Sequence, residues 1–191
     1  MPCSSDLKSR CRCSGFFFAP QINILSVTEK PDFHGKKSMI IPTLEHVFTA
    51  EGKLAPPIPI GPCPDGERRI IPILEGSFEG ASIRGTFLEQ GGADWQSTRT
   101  DGVTQAEATY AIRTDDGIVI QVENFGLRHG PDEVMKRLVS GEDVDPADYY
   151  FRTSPRFRAP AGKYDWLNRS IFIASGARYK SSIKLWFFRV C

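Results

Sequence analysis

Histidine is scarce in this chain, and its scarcity narrows the chemistry. His34, His46 and His129 are the only three, and no two stand at ligand spacing, so neither a zinc nor an iron centre is expected. Cysteine does not take their place. Cys3, Cys11 and Cys13 lie near the start, Cys63 sits among prolines and Cys191 is the last residue. Cys11-Arg12-Cys13 has neither zinc spacing nor a partnering histidine pair, and thiols scattered in this way fit a reduced, cytoplasmic setting. An excess of charge of one sign is missing too: 24 Lys+Arg against 23 Asp+Glu leave a formal charge of +1, which disfavours nucleic acid as a partner. The one basic run, Arg152, Arg156 and Arg158, reads as a solvated rim. No apolar stretch approaches the ~20 residues of a membrane helix, so no membrane partner is expected. Gly85 and Gly91-Gly92 lack the strand–helix frame of a phosphate or dinucleotide loop. Ser154 and Ser175 lack a nucleophile elbow, so neither covalent catalysis nor a bound cofactor is expected.

What is present is enough for one core. The chain has 191 residues, 40% of them hydrophobic, which suits a single domain with a tail. Residues 1–38 hold no period and differ in composition from the rest. Phe16-Phe17-Phe18 is too short for the apolar core of a secretory signal. The expected domain therefore runs over 39–191, behind a disordered or non-domain tail at 1–38.

The strongest local signal is Asp115-Asp116-Gly117 between two alternating runs, a β-hairpin over 106–128. Ala108, Tyr110 and Ile112 share one face before the turn, as do Ile118, Ile120 and Val122 after it, while Thr109, Arg113, Gln121 and Glu123 take the other. Thr43 to Lys53, Arg68 to Leu74, Ile83 to Glu89, Tyr149 to Arg158, Trp166 to Ala174 and Ile183 to Val190 also read as strands. Residues 55–66, studded with prolines, read as a loop. One helix is expected at 131–139, with Pro131 at its start, Val134 and Leu138 inward and Gly141 as its stop. About nine strands with regular turns predict an all-β, antiparallel barrel or sandwich with one short helix.

Six segments in order carry a resemblance. They are Gly91-Gly92-Ala93-Asp94-Trp95-Gln96, Asp101-Gly102, Tyr110 with Thr114-Asp115-Asp116-Gly117, Gly126-Leu127-Arg128, Asp145-Pro146 with Tyr149 to Phe157, and Tyr164 to Arg169. Over about 39–191 the chain resembles domain-of-unknown-function family 3237, also called uncharacterised protein family 0311. The resemblance implies a closed antiparallel barrel of the lipocalin kind with an internal cavity. It implies no general activity. Fungal relatives resemble accessory proteins of secondary-metabolite pathways, which points to an isomerase or cyclase.

The candidate site is a set of polar residues among aromatics. Asp94 and Glu123 could transfer a proton, because desolvation among aromatic rings favours a neutral carboxyl. Arg128 and Arg152 could hold an enolate or phenolate oxygen. Trp95, Tyr110, Tyr150, Trp166 and Asn168 complete a pocket for a small aromatic or polyketide-like molecule. Asp94, Arg128, Arg152, Trp166 and Asn168 are expected to line one cavity, Trp166 and Asn168 from one strand face. A non-catalytic carrier with the same pocket is the alternative, and a homo-oligomer is compatible with either.

Overall fold

In a computed structural model the chain is described over residues 39–191. The tail expected at 1–38 lies outside the described residues. Ten strands form one antiparallel sheet: β1 (Leu44–Leu54), β2 (Ile58–Cys63), β3 (Gly66–Glu79), β4 (Arg84–Phe87), β5 (Ala93–Thr98), β6 (Thr104–Thr114), β7 (Val119–His129), β8 (Tyr150–Arg158), β9 (Ile171–Arg178) and β10 (Ser182–Val190). The sheet closes because β1 pairs with β10 on one side and β3 on the other. β4 and β5 share one position between β3 and β6. The ring therefore has eight staves, β1, β3, β4 with β5, and β6 to β10, and the barrel expectation holds.

β2 stands outside this ring and pairs only with β3 among the described residues. It falls in the stretch read as a proline loop. An edge strand needs partners on one side only, so Pro59 and Pro62 are tolerated there, and a bulge between Pro59 and Gly61 absorbs the irregularity. β3 likewise continues past Leu74, the expected end of that strand, through Gly76 to Glu79.

The expected hairpin is β6–β7, with Tyr110 opposite Val122 and Ile112 opposite Ile120. Its oily face points inward: Tyr110, Ile112, Ile120 and Val122 are buried, whereas Arg113 and Gln121 are exposed. Ile118 falls in the turn before β7 and is exposed. At this end of the barrel Phe48, Phe78, Phe157, Phe172 and Phe187 fill the interior. Phe48 stacks on Phe187 with ring centres 4.4 Å apart, and Phe157 meets Phe172 edge-on at 4.9 Å. Each such side chain stabilises the fold by about 1.5–3 kcal/mol through burial alone.

The opposite end is covered by the helix α1 (Asp132–Ser140). Asp132 and Glu133 in its first turn suit the positive end of the helix dipole. Leu138 is buried and Val134 packs beside it, against Val144, Tyr149 and Phe151. Gly141 ends the helix at φ 87°, a left-handed conformation that suits glycine. There the N–H of Glu142 donates to the carbonyl of Arg137 and that of Gly141 to Leu138, so two terminal carbonyls are satisfied.

Candidate functional site

Strand parity decides what the barrel encloses. On β7 the even residues point inward, so Asn124, Gly126 and Arg128 continue the row begun by Ile120 and Val122. On β8 the odd residues do so, which places Phe151, Thr153 and Phe157 inside. The row is apolar near the hairpin turn and polar beneath α1. Between the two halves small residues, Gly52, Ala106 and Ala108, leave an inner cavity of about 40 Å³. Asp94, Tyr110, Asn124, Phe151 and Thr153 also line it, and the volume holds a water or two. A vestibule of about 740 Å³, bounded by β1, β3, β4 and the start of β10, shares Gly52, Phe87 and Ile183 with the inner cavity. Phe87 stands at their boundary, its ring 5.2 Å from that of Tyr110.

Asp94 is the one carboxylate among the described residues lining the inner cavity. β5 holds it in register with Ala108 on one side and Ile71 on the other, both on inward-facing rows. Its Oδ2 accepts from Gln96 Nε2 at 2.6 Å and its Oδ1 from the backbone N–H of Glu107 at 3.0 Å. Gln96 passes the network on, because its Oε1 accepts from Arg69 Nε at 3.0 Å and Nη2 at 2.8 Å. Burial pushes the Asp94 carboxyl above its ordinary value, and the bond from Gln96, the Arg128 charge, the Glu107 N–H and the Arg69 charge pull against it. Burial, and then the charge on Asp94, raises the Tyr110 phenol.

Three guanidinium groups share this end of the interior. Arg128 is 4% exposed, its Nε has no partner and its guanidinium lies 5.7 Å from the centre of the Phe151 ring. Burial lowers it to about 10, with the charges of Arg69 and Arg178 adding to the effect. Arg178 donates to the carbonyls of Tyr179 and Ser182. Asn124 Oδ1 and Thr153 Oγ1 are also buried without partners. Buried polar atoms are as a rule paired, so three orphans in one half-barrel mark a place where a ligand would complete the bonding. No three potential metal-ligating side chains cluster among the described residues.

The nine expected site residues divide. Asp94 and Tyr110 line the inner cavity, and Arg128 lies inside the same half. Arg152 and Tyr150 do share a face of β8, but it is the outer one: both are exposed, with the Arg152 guanidinium 5.4 Å from the centre of the Tyr150 ring. Glu123 faces outward on β7 and pairs with Arg158. Trp95 is exposed, because its neighbours Asp94 and Gln96 take the inward positions of β5. Trp166 and Asn168 lie on no strand. Residues Asp165–Arg169 form a single 3₁₀ turn, in which Asn168 is exposed and bonds the backbone N–H and C=O of Ala159 at 2.9 Å each. Trp166 packs on Phe172 at the apolar end, beside a different pocket of about 260 Å³. The expected single cavity is thus corrected to one containing Asp94 but not Arg152, Trp166 or Asn168. Asn124 and Thr153 were missed, although each is a polar residue at the parity of buried apolar ones.

Comparison with known proteins decides the family. Residues 42–190 match the model of a protein family of unknown function, number 3237. The chain belongs to this family. A UPF0311 protein of Rhodopseudomonas palustris is 44% identical over 144 residues, covering 74% of this chain and 94% of its own. The crystal structure of that protein, whose function is unknown, superposes with a TM-score of 0.77 at 39% identity, over 80% of this chain and all of the other. A β-barrel-like protein from Acinetobacter baumannii gives 0.70 at 36% identity, covering 80% and 98%. An enzyme from Penicillium herquei gives 0.60 at 20% identity, covering 82% and 99%, which speaks for the fold alone. No helix among the described residues is long and apolar enough to cross a membrane.

Proposed function

We propose that this barrel is a cofactor-free proton-transfer enzyme, an isomerase or cyclase acting on a small aromatic or polyketide-type molecule in the cytoplasm. The observation that carries the reading is Asp94: a lone carboxyl on the wall of the inner cavity, with its neutral form favoured by burial. A carboxyl shifted upward in this way is better suited to exchange a proton with a ligand than an exposed one. The reacting end of the molecule enters the inner cavity past Phe87, and its body rests in the vestibule. Arg128 stabilises the negative oxygen that develops, and the Tyr110 hydroxyl supplies a second hydrogen bond. Asn124 and Thr153 take up the ligand's hydroxyl groups. Glu123 and Arg152, on the outer face, have no part in this scheme. The same barrel shape houses an enzyme in Penicillium herquei, so the architecture can host catalysis.

Solvent deuterium exchange tests the proposal without a known product. Enolisable aromatic and polyketide ketones are incubated with the protein in D₂O and followed by NMR. The native chain should accelerate exchange in at least one, and Asp94→Asn should slow it about 100-fold. Equal rates in the two proteins would overturn the role of Asp94. A carrier function is the second reading. It is favoured by the two hydrogen bonds that Asp94 already accepts within the protein, and it requires binding of the same ketones with no exchange in either protein.

A further inference from the structure

A second recess lies beneath the helix. It measures about 610 Å³, between α1 and the β5–β6 turn, and has Arg69 and Arg128 in its lining. Arg128 has no ion pair and no side-chain hydrogen bond among the described residues, and both bonds from Arg69 go to a neutral acceptor, Gln96. Asp94 is the one acidic side chain whose charge bears on both, and its oxygens are taken by Gln96 and Glu107. The charge of Arg178 also acts on Arg128, so positive charge outweighs negative around it. Such an excess is costly where water is scarce, unless an anion completes it. The acids on the pocket wall do not supply one. Asp101 pairs with Arg99 and accepts from the Val103 N–H, and Asp132 belongs to the first turn of α1.

The rest of the wall has a different character. Val103, Met135 and Val139 line the same recess. Val139 is 71% exposed, on a helix whose inward contacts are made by Val134 and Leu138. A thioether and two branched aliphatic chains make an adaptable apolar wall leading to a cationic floor.

We propose that this recess binds an amphipathic organic monoanion, its carboxylate on Arg69 and Arg128 and its apolar body along Val103, Met135 and Val139. Two guanidinium forks are suited to the two oxygens of one carboxylate. The recess is distinct from the inner cavity, but Arg128 lies between the two and serves both readings, and the Asp94–Gln96–Arg69 chain of hydrogen bonds also joins them; the site holds whether or not Asp94 catalyses. Filling it would change the field on Asp94 through that chain.

Octanoate, octan-1-ol and sulfate separate the contributions of charge and tail, titrated into the full-length protein by calorimetry. Octanoate should bind saturably, at least tenfold more tightly than either of the others. Arg128→Met should weaken octanoate at least tenfold. Val139→Asp, a surface change that leaves the core untouched, should weaken it as well by setting a negative charge beside the tail. In ¹⁵N spectra the Arg128 Nε–H signal should shift with octanoate and not with octanol. Octanol binding as tightly as octanoate would overturn the charged anchor, and sulfate binding as tightly would overturn the apolar wall. Native octanoate affinity in both variants would overturn the site. Equal exchange rates in the native chain and Asp94→Asn, with saturable octanoate binding, would overturn the catalytic reading and leave this site standing; exchange lost in Asp94→Asn, with no octanoate binding to the native chain, would do the reverse.

Discussion

The two halves of the barrel interior obey opposite rules. Near the β6–β7 turn, phenylalanines from β1, β3, β8, β9 and β10 interlock with Ile112, Ile120 and Val122, leaving no polar atom to satisfy. Beneath α1 the same inward rows carry Asp94, Asn124, Arg128 and Thr153, three of them with an unpartnered atom. Both halves rest on one set of strands and differ only in which side chains fill them. One half is built for stability. The other forgoes stability and keeps a bonding capacity that the protein itself does not fill, as the proposed site requires.

This contrast can be broken by experiment, and the apolar half gives the largest effect. Phe187→Ala should cost about 3–5 kcal/mol in urea denaturation, because the surrounding phenylalanines cannot collapse into the space. In the polar half the same logic is reversed. Arg128→Met removes an unpartnered buried charge and should raise stability, by up to about 1–4 kcal/mol. A large loss instead would mean that Arg128 has become structural, and the distinction between the halves would fail.

A smaller effect comes from Asp94. Its carboxyl holds a proton more tightly in the folded chain than in the unfolded one, where it titrates near ~3.9. The native state therefore loses stability as pH rises from about that value through the raised one. Asp94→Asn should flatten this part of the profile of thermal midpoint against pH. The smallest effect should come from Asp116, on the apolar side, whose carboxylate accepts from Lys163 at 2.8 Å and from the Tyr164 hydroxyl at 2.9 Å. Bonds from Lys163, Thr114 and Tyr164 hold its carboxyl well below the usual range, so the sign is opposite. Its contribution is present above about 3.9 and lost as pH falls towards its folded value. Asp116→Asn should lower the midpoint slightly at pH 7 and not at all in strong acid.

Much of this contrast was legible as alternation. The hairpin, its division into an oily and a polar face, and the helix at 131–139 follow from periods of two and 3.6; which face turns inward does not. The same parity argument would have put Arg128 inside, with Val122, and turned Tyr150 and Arg152 out, since Phe151 and Phe157 occupy the other phase of β8. Shared orientation of two residues does not by itself say which face of a strand is apolar. Arg69 was open to the same argument, being in phase with Ile71 and Ile73 on β3; the buried phase changes only farther on, between Ile73 and Phe78, where the pairing with β1 slips. Trp166 and Asn168 misled for another reason. A 3₁₀ turn has nearly the composition of a strand end, and only the tertiary bonds from Asn168 to Ala159 distinguish it.

The prolines of β2 have a consequence beyond tolerance. A closed ring presents no open row of backbone donors and acceptors, so among the described residues the border of β2 that faces away from β3 is the place where another chain could add itself as a further strand. Pro59 and Pro62 have no N–H to offer, and the bulge at Gly61 breaks the straight line that such an addition needs. Replacing both prolines would restore a continuous template and invite end-to-end polymers of barrels. Two imino acids in the middle of an exposed border thus leave it without the full row of donors that a further copy would need.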